Sequence, residues 1–283
     1  MSAQNLPEFL IIGAMKSGTT TLQAQLAHQS GVFMTTPKEP NYFSDDAVFA
    51  NGPDWYAALF DDAAPGVLKG EASTHYTKLP TYPETVPRMA EALSDPKLVY
   101  VIRDPVDRAV SHYIHEWSEG RMDCDPVAAF AQHPELVAYG RYPMQLAPFI
   151  DCFGRGSILL ISLEEMASDP DEVLRRVGEH IGSPQPLIWN HDLRAQNVSA
   201  ERVRRMPLHR VLVANPVART LRHLLVPQNI RAQIRKARTH GERPQLPDSL
   251  RRELEQVFAP DRVALERLFP GHPALSLAYG FVT

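Results

Sequence analysis

The feature that most limits what this chain can become is the run Phe9-Leu10-Ile11-Ile12 leading straight into Gly13-Ala14-Met15-Lys16-Ser17-Gly18-Thr19-Thr20. The four apolar residues, two of them β-branched, predict a short buried strand. Thr19 to His28, with Leu22 and Leu26 four apart, predicts a helix. Between them lies a tight turn with glycine at each end. The same order recurs downstream. Val67–Gly70 predicts a second strand, and Leu98–Ile102 predicts a strand buried on both faces. That strand ends at Arg103-Asp104-Pro105, where proline suits the first turn of a helix running toward Trp117. Ser157–Ile161 predicts another buried strand, and Asp169-Pro170 opens a helix that stops before Gly182. Strands alternating with helices define an α/β chain: a three-layer fold with a central, mainly parallel sheet flanked by helices. After about residue 200 no strand is predicted, and Leu250–Phe258 and Val263–Phe269 read as two helices of a helical C-terminal part. No repeat or linker divides residues 1–283, so a single domain is expected.

The turn has its own chemistry. Joining a strand to a helix N-terminus, it aims backbone N–H groups and the positive end of the helix dipole at one point, which suits a phosphate. The spacing G-x-x-x-x-G is that of a Walker loop, but Thr19 stands where that motif requires lysine, and the lysine lies inside the loop as Lys16. The later strand ends in Arg103 rather than a metal-holding aspartate. A metal-dependent nucleotide kinase fits this pattern poorly, although a kinase or a non-catalytic nucleotide- or phosphoglycan-binding protein remains an alternative.

The residues Gly13–Leu22 resemble the 5′-phosphosulfate loop of sulfotransferases that use 3′-phosphoadenosine 5′-phosphosulfate (PAPS). The strand followed by Arg103-Asp104-Pro105 and, eight residues after the arginine, Ser111 resembles the family's second signature. Weaker matches follow in the family's order: Gly140-Arg141-Tyr142, Gln145-Leu146 and Phe153, then Glu164-Glu165-Met166 with Asp169-Pro170, and finally Pro247–Leu268. The resemblance implies PAPS as sulfuryl donor and no metal. It assigns Lys16, Ser17, Gly18, Thr19, Thr20 and Thr21 to the 5′ end of the nucleotide, and Arg103 and Ser111 to its 3′-phosphate. Taken alone, Arg103 would serve equally as an ion-pair partner of Asp107 or Glu116. In the family the lysine, here Lys16, meets charge on the bridging oxygen.

The segment Thr36–Phe43 resembles the place where glycan-type and many bacterial members carry a catalytic glutamate, which makes Glu39 the candidate base. A plain loop ion pair between Lys38 and Glu39 is the competing reading. Members acting on small molecules use histidine instead, so His75 is the rival base and His112 a weaker one. Ala72 and Thr74 depart from the Glu-Lys-Ser/Thr-Pro-x-Tyr pattern of glycosaminoglycan sulfotransferases, where the lysine assists catalysis. Lys38, Asn41, Tyr42, Phe43 and Tyr76 are candidate acceptor contacts; the aromatic ones, like Trp117, would serve equally as core. The expected acceptor is a hydroxyl, in second place an amine, on a small molecule, lipid or glycan.

Charge sharpens the picture. The net charge of −4 argues against a protein that coats nucleic acid. It averages an acidic body, residues 1–200, with a basic stretch, 201–243, which carries 11 Lys+Arg against 2 Asp+Glu. The segment 191–243 is therefore expected to close the nucleotide site, with Arg202 and Arg204 as candidate contacts, or else to be a solvated helical face. Two cysteines are too few for a disulfide framework. No apolar run reaches the ~18 residues of a membrane span, and the first residues lack the order of a signal peptide. A cytoplasmic location is expected.

Overall fold

The computed structural model describes residues 5–193 and 244–282. Five strands, β1 (Phe9–Gly13), β2 (Val32–Met34), β3 (Leu68–Ala72), β4 (Lys97–Ile102) and β5 (Ile158–Ser162), form one sheet in the order β2-β3-β1-β4-β5. Every pairing is parallel. The chain runs from β1 out to β2, returns through β3, then crosses β1 to reach β4 and β5. The order therefore reverses around β1, and the carboxyl ends of β3, β1 and β4 lie side by side. In open parallel sheets such a switch point is where ligands bind.

Alternation along the strands sorts the core into two faces. Phe9, Ile11, Val99 and Val101 point to one, with Leu22 and Leu26 of α1 (Thr19–Ala27) and Val173, Leu174 and Val177 of α10 (Pro170–Ile181). Leu10, Ile12, Leu98, Tyr100 and Ile102 point to the other. That second face is covered by residues of α3 (Gly52–Ala58), α4 (Thr85–Ala92), α5 (Pro105–Ser118) and α8 (Tyr142–Phe153), and of two late helices, α11 (Asp248–Leu268) and α12 (Pro273–Ala278). The short helices α2 (Asp46–Phe49), α6 (Pro126–Gln132), α7 (Glu135–Ala138) and α9 (Leu163–Ser168), with two 3-10 turns at Thr74–Thr77 and Arg155–Ser157, complete the described elements. With both faces covered, the strands need no polar side, which explains their continuous apolar runs.

The predicted strands and the helices starting at Thr19, Pro105 and Pro170 are present to within a residue at their ends, apart from the second strand, which runs two residues past Gly70 to Ala72. Local chemistry sets those ends. The Asp104 side chain accepts from the amides of Val106 and Asp107 at 2.9 and 3.0 Å, capping α5, an arrangement generally worth about 1 kcal/mol. Gly182, in the left-handed conformation at φ 73°, ends α10. One expectation is corrected. Leu250–Phe258 and Val263–Phe269 are not two helices but parts of α11, which continues through Pro260. A proline inside a helix removes one backbone bond. Here the stripe Leu250, Leu254, Phe258 and Leu265 stays buried on both sides of it. Arg141 also grips Asp261, the residue after the proline, with two hydrogen bonds of 2.6 and 2.9 Å.

Candidate active site

The first loop leaves β1 and enters α1 at Gly18, whose φ of 89° is left-handed. A side chain there would also collide with α9, because an added Cβ would lie 2.7 Å from Leu163 Cδ1 and 2.9 Å from Met166 Cε. No side chain caps α1; the Thr21 amide turns back to the Gly18 carbonyl at 3.0 Å, and the helix N-terminus ahead of it is of the kind that suits an anionic ligand. Lys16 itself is left-handed at φ 72°, a conformation that strains a side-chain-bearing residue by about 1–3 kcal/mol. Thr20 and Thr21 are half-buried at the start of the helix. Thr19 is buried, and so is Ser17, whose amide turns back to the Ala14 carbonyl at 3.2 Å. Ser17 thus braces the loop from inside.

The second signature meets the first directly. Arg103 Nη1 donates to the Lys16 carbonyl at 3.4 Å, and its other amino group lies 3.8 Å from Asp107. Asp107 is held in turn by Arg251 of α11 at 2.8 Å. The Tyr142 hydroxyl donates to the Arg103 carbonyl at 2.8 Å. Arg103 is therefore both the ion-pair partner that its sequence neighbours suggested and a neighbour of the cradle. Ser111, two turns further along α5, is buried. Arg202 and Arg204, and nearly all of the 191–243 segment, lie outside the described residues.

Glu39 stands at the carboxyl end of β3, its amide donating to the Ala72 carbonyl at 3.0 Å. Its carboxylate accepts from Lys38 Nζ at 2.8 Å and from the Thr74 hydroxyl at 3.0 Å. Burial alone pushes this carboxyl up, but Lys38, Thr74 and the more distant charge of Lys78 hold it below the usual value. Glu39 (φ 61°) and Asn41 (φ 56°) are both left-handed. With Lys16, they are the described non-glycine residues in that region of conformational space, and all three belong to this site. Such clustering marks functional segments.

The rival bases are placed differently. His75 stacks on Tyr82 with centroids 4.9 Å apart. Burial, and then the charge of Lys78, lowers its pKa to about 4, so the ring is neutral. His112 is almost wholly buried against Tyr139, and burial with nearby cations, Arg108 first, lowers its pKa to about 2. It packs as a neutral ring. The candidate contacts Tyr42, Phe43 and Tyr76 form an aromatic cluster beneath the Glu39 loop rather than an open wall. Tyr42 stacks on Tyr56 at 4.4 Å, and Phe43 packs against Tyr56 and Tyr76 at 5.0 and 5.7 Å. These rings, at most 3% exposed, serve as core. Asn41 contributes its backbone N–H, which donates to the Ser73 hydroxyl at 3.1 Å.

Sequence reasoning missed Lys78. It is 8% exposed and lies over the Tyr139 ring at 5.8 Å; no carboxylate among the described residues lies within 4 Å of it. Burial lowers its pKa to about 8. Glu39 feels its charge, as do Glu116, His75 and His112. The available signal was its position just beyond His75, on a stretch too short to leave the site once the turn Thr74–Thr77 folds back. Among the described residues no group of three or more His, Cys, Asp or Glu could hold a metal ion.

A parallel sheet with a glycine-flanked cradle at its switch point, an arginine from the neighbouring strand and a carboxylate from the next defines a phosphate-handling α/β domain. Comparison with known proteins gives its family: the sulfotransferase domain matches residues 6–265, and the chain belongs to that family. Heparan sulfate glucosamine 3-O-sulfotransferase 3B1 of Mus musculus is 31% identical over 202 residues, covering 67% of this chain and 49% of that protein. Bifunctional heparan sulfate N-deacetylase/N-sulfotransferase 2 of Bos taurus is 27% identical over 221 residues, covering 68% and 24%. The chain thus spans about half or less of the length of these curated relatives. A crystal structure of a sulfotransferase from Alicyclobacillus acidocaldarius shares the fold over 93% of this chain and 95% of that one, with a TM-score of 0.65 and 26% identity.

Proposed function

We propose that the protein is a PAPS-dependent sulfotransferase acting on a hydroxyl group. The observation that carries this reading is the meeting of Arg103 with the Lys16 carbonyl at 3.4 Å, at the carboxyl end of the sheet where Glu39 is also held. It joins a cation suited to one phosphate with a helix N-terminus suited to another. PAPS, which carries a phosphate at each end of its ribose, would supply the sulfuryl group.

The residues then divide the work. Glu39 takes the proton from the acceptor hydroxyl as the acceptor oxygen bonds to sulfur. Lys16 and the first amides of α1 meet the charge left on the bridging oxygen as the sulfur–oxygen bond to the 5′-phosphate breaks. A base held below the usual carboxylate pKa stays ionised at neutral pH, ready to accept a proton. Arg103 and Ser111 hold the 3′-phosphate, and a guanidinium fork matches its geometry. Lys78 sets a second cation within electrostatic reach of Glu39. The acceptor is a small molecule, lipid or glycan; the heparan sulfate in the names of both curated relatives makes a glycan the first to try. Cys124 and Cys152 are both unbridged, which supports a reducing, cytoplasmic setting.

Calorimetric titration with adenosine 3′,5′-bisphosphate, without metal, tests the donor site. Binding tighter than that of ATP with magnesium, and weakened in Arg103→Ala, is expected; tighter ATP binding would favour a kinase. Transfer of label from [35S]PAPS to a panel of desulfated heparan oligosaccharides, phenols and sterols then finds the acceptor class. Bisphosphate binding with no turnover on any acceptor would favour a non-catalytic binding protein.

A further inference from the structure

The Glu39 loop holds two left-handed residues, and strain of that kind persists only where the surroundings over-determine the backbone. The fixings of this loop converge on one buried carboxylate. Glu71, the penultimate residue of β3, is fully buried. Its Oε1 accepts from the Tyr76 hydroxyl at 2.7 Å and the Tyr56 hydroxyl at 2.9 Å, and its Oε2 accepts from the Ser73 hydroxyl at 3.3 Å. Each donor then touches the loop. Ser73 Oγ accepts the Asn41 backbone N–H, Tyr56 stacks face to face on Tyr42, and Tyr76 packs on Phe43. Asn41, Tyr42 and Phe43 are consecutive, beginning two residues after Glu39.

We propose that Glu71 is the positioning residue for Glu39: its ionised carboxylate orients Ser73, Tyr56 and Tyr76, and these clamp the loop in the conformation that presents the base. This rests on the sulfotransferase reading above, which assigns Glu39 its role. Three hydroxyls donate to Glu71 and no cation among the described residues lies within ion-pairing distance, so the arrangement is that of the charged form. A protonated carboxyl would itself donate, forcing one of the three hydroxyls to find another acceptor. The groups facing it are Tyr56 from α3 and Tyr76 from the turn Thr74–Thr77, both phenols pushed well above 10, first by burial, and therefore neutral. Burial pushes Glu71 itself up to about 7. Its titration thus falls near neutral pH, while that of Glu39 falls in the acidic range.

The test measures transfer from [35S]PAPS to the best acceptor of the panel between pH 5.5 and 8.5. In the wild type, kcat should fall as pH drops below about 7, levelling off about tenfold lower once Glu71 is protonated. Glu71→Gln should abolish that limb and lower the plateau by about tenfold, with bisphosphate affinity unchanged within twofold. An acid limb that persists unchanged in Glu71→Gln would overturn the proposal. Should that variant not fold, Ser73→Ala keeps the carboxylate and severs only its link to Asn41. Lower kcat at unchanged bisphosphate affinity supports the proposal, and wild-type kcat overturns it. Carbon-13 spectra of the glutamate carboxyls form an arm independent of turnover. A resonance titrating near pH 7, coupled to a shift in that of Glu39, is expected, and the absence of any such resonance sinks the idea. Failure to bind the bisphosphate would instead count against the sulfotransferase reading, and the spectra would still decide the role of Glu71.

Discussion

The glycine-flanked cradle and the Glu39 loop are built on opposite plans. Between Gly13 and Thr20 the cradle uses backbone: a left-handed glycine, an uncapped helix and amides whose direction follows from the chain path. The Glu39 loop uses side chains drawn from two other stretches, α3 and residues 71–76, with Thr74 on its carboxylate and Ser73, Tyr56 and Tyr76 gathered around Glu71. Backbone cradles recognise what every donor of one kind shares. Loops fixed by side chains can be re-aimed by single substitutions, which suits the half of a reaction in which the acceptor varies.

The sharpest way to break this comparison is to remove the chemistry of one half while sparing the other. Glu39→Gln should lower transfer by about 10²–10⁴-fold, with bisphosphate affinity nearly intact by calorimetry; undiminished turnover would move the base to His75. Arg103→Ala should act on the other half. Losing a charge-assisted contact of about 1.5–3 kcal/mol weakens bisphosphate binding by about 10–100-fold, and much of the transfer rate should return at saturating PAPS.

Stability against pH separates the two carboxylates. Glu71, raised to about 7 from an ordinary 4.5, favours the folded state while protonated. Its contribution is full below 4.5 and is lost as pH rises to about 7, by at most about 3 kcal/mol at 1.36 kcal/mol per unit. The opposite holds for Glu39, whose lowered pKa makes its contribution full above 4.5 and lost as pH falls through the folded value. Thermal unfolding from pH 4.5 to 8 should therefore show a decline in Tm that is smaller in Glu71→Gln and unchanged in Glu39→Gln. The smallest effect belongs to the scaffold. Ser162 and Glu165 form a capping box at 3.1 and 2.8 Å, and Ser162→Ala should cost about 1 kcal/mol. That is a fall of about 2–4 °C in Tm, with both halves of the site still working.

Much of the donor half was legible because its determinants are contiguous. Gly13, Lys16, Gly18 and Arg103-Asp104-Pro105 carry their geometry in neighbouring residues, and apolar runs buried on both faces announce the sheet. The acceptor half was legible only as a position, Glu39. Lys38, Asn41, Tyr42 and Phe43 read as a row of candidate contacts, yet the rings pack inward and Asn41 uses its backbone N–H. The break expected between Phe258 and Val263 is absent: Pro260, a local helix breaker, lies within one helix that a buried stripe and the grip of Arg141 on Asp261 hold together.

The sequence by itself determined the α/β order, the phosphate-suited turn and the family resemblance, because hydrophobic period, glycine and helix start act over a few residues. Only the tertiary structure decided that Lys78 lies near Glu39, that His112 is a neutral packing ring, and that Glu71 gathers the fixings of the base loop. Those facts depend on burial and on contacts between residues far apart in the chain, as Thr74 is from Glu39 and Lys78 from Tyr139. Desolvation and cross-segment hydrogen bonds set the charge of a carboxylate, and neither is written in the residues beside it.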